Sequence, residues 1–199
     1  MRVDGITCGM VAGMLVLMQT APALGEEALI RPGIGIGIMS CSGFKSYMEK
    51  TQDDHKTDVF VDIMLNAKIR ITDNWGVVPA VEMFLTPEAA TETDGFAAAS
   101  LSVRYSFTQE PSLYLQAGPN YSFDTSRLEV KGGLGGVASL GYAFKSRDRS
   151  RFGPELEIGY SYLPVDAAPK SPYYHNMSGA TPPSSANFGG PFLRLGFRF

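Results

Sequence analysis

The chain has 199 residues, a formal net charge of −3 and 19% charged residues, which bounds it to one domain with at most a short appendage and leaves no basic footprint for nucleic acid. Its 22 glycines and 11% aromatic residues suit strands and interfacial belts. Beyond the first part of the chain no apolar stretch reaches the roughly 18 residues that a spanning helix needs, so helices are excluded as the means of crossing a membrane.

The chain opens MRVDGITCGMVAGMLVLMQTAPALGEE: an early Arg2, an apolar run from about Ile6 to Met18, small residues, then two acids. This reads as a secretory signal peptide over residues 1–25, cleaved near Ala23-Leu24-Gly25, with a mature part over 26–199. The run is too short for an anchor and no basic cluster follows it. Removing the signal removes Cys8 and leaves Cys41 alone, so the mature fold closes no internal disulfide. No CxxC and no His-rich pair is present, so neither a metal nor a cofactor is expected.

Apolar and polar residues then alternate in eight successive segments, the period of a strand with one apolar face. The first, Ile30 to about Cys41, sets Ile34, Ile36 and Ile38 against Gly33, Gly35, Gly37 and Met39. The second, Thr57 to Ile71, sets Val59, Val61, Ile63, Leu65, Ala67, Ile69 and Ile71 against Phe60, Asp62, Met64, Asn66, Lys68 and Arg70. It is long enough to cross a bilayer core at a tilt of about 45°. The third, Gly76 to Thr86, has Val77, Pro79, Val81, Met83 and Leu85 opposite Glu82. The fourth, Phe96 to Thr108, has Leu101, Val103, Tyr105 and Phe107 opposite Ser100, Ser102, Arg104 and Ser106. The fifth, Ser112 to Phe123, has Leu113, Leu115, Ala117 and Tyr121 opposite Tyr114, Gln116 and Asn120. The sixth runs from about Val130 to Lys145, and the seventh, Phe152 to Leu163, places Glu155, Glu157 and Ser161 opposite Leu156, Ile158, Tyr160 and Tyr162. The last, from about Phe188 to Phe199, sets Leu193, Leu195, Phe197 and Phe199 against Arg194, Gly196 and Arg198.

The connections alternate in length. Short ones at 72–75, 109–111 and 146–150 face long ones at 42–56, 87–95, 124–129 and 164–187. An even number of antiparallel strands with short turns at one end and long loops at the other predicts an up-and-down barrel of the membrane kind. The charges fall on the face opposite the Val/Ile/Leu rows: Asp62, Lys68, Arg70, Glu82, Arg104, Glu155, Glu157, Arg194 and Arg198, with the polar Gln116 on the same face. Aromatics gather near the segment ends, as at Tyr105, Phe107, Phe123, Tyr142, Phe144 and Phe152, where membrane interfaces favour them. In hydrocarbon an unpaired backbone group costs several kcal/mol, so the strands must close into a ring. The alternative is a soluble periplasmic barrel holding a small apolar ligand, with the same rows turned inward.

These features together, ending in Leu195-Gly196-Phe197-Arg198-Phe199, resemble the small outer-membrane barrels of the OmpA/OmpX/OmpW type. The resemblance implies an all-β, eight-stranded antiparallel up-and-down transmembrane β-barrel in the cell outer membrane, exported through the periplasm and surrounded by lipid and lipopolysaccharide. It also implies that Phe199, Phe197 and Leu195 form the signal read by the barrel-assembly machinery. The function expected is structural or surface-interacting, with at most minor passage of small solutes.

Eight strands leave a bore only wide enough for side chains, so the inward charges are expected to plug it as a network of salt bridges. A hairpin of the third and fourth segments centred near residue 93 would set Glu82 facing Arg104. A turn near 110 would set Gln116 on the other side of Arg104. Gly33, Gly35 and Gly37 would make room for Arg194 across the closing seam. The sharper alternative is a barrel-type lipid A deacylase or acyltransferase, for which the candidates are His175 with Ser178, and His55 beside Asp54. Here the spacing is His-x-x-Ser in a Pro-rich loop, where the resembling deacylases carry His-x-Ser on a late strand. The loop 164–187, with Tyr173, Tyr174 and His175, is a candidate contact for a surface partner.

Overall fold

The computed structural model describes residues 30–51, 58–85, 95–108, 111–123, 130–145, 153–167 and 185–199. The signal segment 1–25, together with His55, His175 and Ser178, therefore lies outside the described residues.

Eight long strands form one closed ring: β1 (Ile30–Ser40), β2 (Val59–Arg70), β3 (Trp75–Leu85), β4 (Gly95–Ser106), β5 (Ser112–Ser122), β7 (Leu134–Ala143), β8 (Gly153–Tyr162) and β11 (Pro191–Arg198). Every adjacent pair is antiparallel, and β11 pairs with β1 from Gly33↔Arg198 to Met39↔Phe192 to shut the ring. Phe199 adds one more rung, its N–H donating to the carbonyl of Pro32 at 3.0 Å. The short β2–β3 turn is tied by its own side chains: Thr72 Oγ1 accepts from the Trp75 N–H, and Asn74 Nδ2 donates to the Ser106 carbonyl at 2.7 Å.

The apolar rows face outward. Ile36 is 53% exposed, Leu101 54% and Ile158 59%, among a belt of Ile, Leu, Val, Tyr and Phe side chains. A barrel holding an apolar ligand would bury these rows, so the soluble alternative is incompatible with the direction they point. At the turn end Trp75 lies 4.8 Å from Tyr105, Tyr105 5.2 Å from Phe107, and Tyr142 4.9 Å from Phe144, ring to ring. At the loop end Tyr121 and Phe123 make a similar pair at 5.8 Å, with Tyr160 and Tyr162 on the same outer face. Two aromatic girdles about an aliphatic band match the two faces of a bilayer.

The long connections carry structure that alternation does not reveal. The first holds helix α1 (Ser42–Thr51). Residues 130–132, read from the sequence as the start of the sixth barrel segment, are instead strand β6 (Val130–Gly132), outside the ring. β6 pairs with β9 (Pro164–Ala167), which pairs with β10 (Ser185–Asn187), making a three-stranded antiparallel sheet above the mouth. The break after β6 has a local cause: Ser122 Oγ accepts from the Gly133 N–H at 2.9 Å and donates to the Pro164 carbonyl at 2.9 Å. The chain passes so near Ser122 that a Cβ on Gly132 would stand 1.6 Å from the Ser122 carbonyl oxygen, a place only glycine can take.

If lipid meets the aliphatic band, Ile36→Arg at mid-height of β1 should cost about 2–4 kcal/mol. Urea unfolding in lipid vesicles measures this, and an unchanged midpoint would contradict an outward, lipid-facing Ile36.

Candidate functional site

The lumen is built in two layers. Beneath α1 and the small sheet lies an apolar stopper of Met39, Cys41, Phe44, Phe60, Phe84, Phe96, Leu163, Val165, Phe188 and Phe192, all buried. Its aromatic rings interlock: Phe44 meets Phe60 at 4.7 Å and Phe188 at 5.1 Å, while Phe96 meets Phe84 at 4.7 Å and Phe60 at 5.4 Å. Phe60, Phe84, Phe96 and Phe192 hold the inward positions at the loop ends of their strands, and Phe44 is the helix residue that descends onto them. Asn187 Oδ1 secures the lid by accepting from the N–H groups of Leu163 and Gly189, both at 2.9 Å.

Cys41 sits within this stopper. Its Sγ accepts from the Phe44 N–H at 3.3 Å at the start of α1. Burial pushes the Cys41 thiol up to about 12, and the Phe44 N–H, which favours the thiolate, offsets only part of that rise. Thiol reactivity requires the thiolate, so this sulfur stays inert at neutral pH while the stopper is closed.

Below the stopper the side chains become charged. Arg194 on β11 donates from Nε to Asp62 Oδ2 at 2.8 Å and from Nη2 to the same oxygen at 2.5 Å. Nη2 also reaches Glu82 Oε2 at 3.1 Å, and Nη1 lies 3.9 Å from Glu157 Oε1. Its Nη1 donates to Met64 Sδ at 3.0 Å, and its guanidinium lies 4.6 Å from the Phe192 ring, where the polar layer joins the stopper. The path from β11 to Asp62 on β2 passes over β1. It is open because Gly35 and Gly37 have no side chains: a Cβ on Gly35 would stand 2.8 Å from Arg194 Cδ, and one on Gly37 2.4 Å from the Leu193 carbonyl oxygen.

Nearer the turns Arg104 crosses the bore from β4 to β8. Its Nη1 and Nη2 donate to Glu155 Oε1 and Oε2 at 3.0 and 2.9 Å, a bidentate pair. Its Nε donates to Gln116 Oε1 at 3.0 Å, and its guanidinium lies 3.6 Å over the Tyr114 ring. The Tyr114 hydroxyl donates to Glu155 Oε2 at 3.2 Å and reaches Glu157 Oε2 at 3.5 Å, so Glu157 links the two guanidinium clusters. Arg198 Nε also pairs with Glu155 Oε1. Lys68 and Arg70 line the same face as half-buried side chains below this level.

The register of β3 and β4 corrects one sequence expectation. The hairpin centres on residue 90, so Glu82 lies opposite Ala98 and Arg104 opposite Gly76. Glu82 serves Arg194, not Arg104. Between β4 and β5 Arg104 stands opposite Gln116. The stopper itself was missed from sequence. Its signal is the run of apolar residues at inward positions of the loop ends, Met39, Phe60 and Phe84, where a polar lumen would place polar groups.

The network sets a cost on losing its cation. Arg194→Met would leave Asp62, Glu82 and Glu157 facing each other inside the bore, which should destabilise the barrel by about 3–5 kcal/mol. Adding Asp62→Asn should recover part of that loss. Double-mutant-cycle denaturation checks both, and additive effects would contradict a direct pair.

No protein-family model matches the chain, and no curated protein matches it. Among solved structures the chain is similar to the crystal structure of Neisserial surface protein A, with 13% identity, 85% of this chain and 94% of that one covered, and a TM-score of 0.49. It is also similar to the outer membrane protein OprG from Pseudomonas aeruginosa, with 14% identity, the same coverages of 85% and 94%, and a TM-score of 0.45.

Proposed function

We propose that this chain is an integral outer-membrane barrel with a shut lumen, whose role is structural and surface-presenting. One observation carries the shut lumen: Arg104 bridges β4 and β8 through Glu155 beneath a stopper of packed aromatic rings. An eight-stranded bore that is filled by side chains leaves no continuous water path. Closing it with charges alone would be risky, because unpaired ions draw water. Closing it with an apolar layer above paired ions excludes water at one end and neutralises charge at the other.

The surface offered to the outside is then the cap, α1 with β6, β9 and β10, standing on the rim. The outward row of Leu195 and Phe197 on β11, with Phe199 just past its end, is the proposed contact for the barrel-assembly machinery, since it lies along the strand that closes the ring. Lipopolysaccharide would meet the loop-end girdle of Tyr121, Tyr160 and Tyr162, all exposed.

Planar-bilayer recording tests the shut lumen. The wild type should give no steady conductance, whereas Phe44→Ala with Phe60→Ala should admit ions at least intermittently. A steady open pore in the wild type would overturn this reading. Cys41 gives a second readout. A water-soluble maleimide at pH 8 should leave folded Cys41 unmodified and label it at least about tenfold faster in Phe44→Ala, because loss of packing exposes the sulfur. Rapid labelling of the wild type would contradict a closed stopper.

A further inference from the structure

The closing seam is repetitive on one side. β1 reads Gly33-Ile34-Gly35-Ile36-Gly37-Ile38, three identical Gly-Ile steps, set against Leu193, Leu195 and Phe197 on the outward face of β11. A slip of one residue would turn the isoleucines into the bore, which alternation forbids. A slip of two does not. It returns glycine to the inward places and isoleucine to the lipid, and along the repeat each backbone group finds an equivalent partner. Gly-rich strands specify register weakly for this reason. Neither the ladder nor the outer face therefore distinguishes the observed seam, with Gly37 opposite Arg194, from one shifted by two.

The inner face does distinguish them. Asp62 is the inward residue of β2 opposite Gly37, and the inward residues on either side of it are apolar: Phe60 opposite Met39 and Met64 opposite Gly35. Arg194 reaches past the bare Gly37 to Asp62 Oδ2, with Nε at 2.8 Å, and its Nη2 meets Glu82 Oε2 on β3 at 3.1 Å. A slip of two moves β11 about 7 Å along β1. In one direction Arg194 comes to Gly35 and faces Met64. In the other it comes to Met39, whose side chain takes the place that Gly37 leaves free, and faces Phe60. Either slip leaves Asp62 and Glu82 buried without their cation, a costly state. Glu157 lies opposite Arg194 on β8 and travels with it, so it carries no register information. Phe192, opposite Met39, joins the seam to the stopper, but an apolar contact is non-directional and tolerates a shift that a charge-assisted hydrogen bond does not.

We infer that the Arg194–Asp62 bridge is the register lock of the ring. It selects the closing alignment of β11 on β1 among even slips that the Gly-Ile repeat leaves equivalent. A buried ion pair used in this way contributes uniqueness more than stability. The inference rests on the closed ring and not on the shut lumen, so a conductance result leaves it standing or falling on its own test.

Paired cysteines on the outward face read the alignment. They are placed in the full chain with Cys8→Ala and Cys41→Ala, refolded in a maltoside detergent and oxidised with copper phenanthroline. Ile36→Cys with Leu195→Cys should crosslink when Arg194 and Asp62 are intact, because these residues are directly opposed and opposed residues of this kind stand about 5.5 Å apart at Cα, within disulfide reach. Ile36→Cys with Leu193→Cys is a diagonal pair, about 7–8 Å apart, and should crosslink only after a slip of two. Arg194→Met should raise the diagonal crosslink at least about tenfold. Exchanging the two β2 residues, Asp62→Met with Met64→Asp, keeps the composition, moves the carboxylate opposite Gly35 and should make the diagonal crosslink the main one. Heat-modifiable gel migration shows which variants have closed. A diagonal crosslink no more frequent in closed Arg194→Met than with Arg194 present, or the directly opposed crosslink still dominant in the closed exchange variant, would overturn the inference. If neither variant closes, the pair is needed for closure itself and not for its register, and the inference falls as well.

Discussion

In hydrocarbon nothing but the chain itself can satisfy a backbone N–H or C=O group, and this one constraint organises the molecule. An open edge would leave a row of such groups unpaired at several kcal/mol each. The eight strands therefore close, β11 onto β1, with Phe199 extending the ladder to Pro32. Once the ring is closed, alternation does the sorting. One set of side chains meets lipid and must be apolar, and the other shares a bore too narrow for bulk water.

The bore then poses its own problem, because long ionic side chains fit only where neighbouring walls give way. Glycines in β1 supply that room for Arg194, which reaches over them to Asp62 on the next strand. The same bridge spans the seam where the first and last barrel strands meet, so the ion pair that fills the lumen also holds the ring shut from inside. At the mouth the chain follows a different rule. There Phe44, Phe60, Phe96 and Phe188 build a small soluble-type core, and the sulfur of Cys41 is buried within it. Two kinds of interior, ionic and aromatic, are stacked in one cylinder, joined where the Arg194 guanidinium meets the Phe192 ring.

Much of this was readable from residues alone, and the limits have physical causes. Period-two alternation reports which side chains share a face, so the Ile34, Ile36, Ile38 row and the Glu155, Glu157 row could be separated without coordinates. It does not report register across a long loop. Nine residues between Leu85 and Gly95 allow several pairings that all preserve the faces, and the sequence reading slipped by an even number, which left Glu82 inward but beside the wrong arginine. β4 and β5 are joined by a short turn, and a short turn restricts the choice, as the Arg104 and Gln116 pairing illustrates. The cap was hidden for another reason. α1 and the three-residue strands β6 and β10 are too short to show a period, and they are held by packing onto the stopper and by bonds such as Ser122 to Pro164, which are long-range. Phe60, Phe84 and Met39 carried the clue to the stopper, as apolar residues in inward positions.

Trp75 offers the most direct measurement of whether hydrocarbon bathes the outer face. It is the single tryptophan, 49% exposed on the outward turn-end girdle. With the barrel in vesicles of lipids brominated at defined depths along the acyl chain, its fluorescence should be strongly quenched, most of all by bromines near the headgroup end. Fluorescence indifferent to bromine at every depth, but quenched by aqueous iodide, would place that face in water and contradict the membrane barrel.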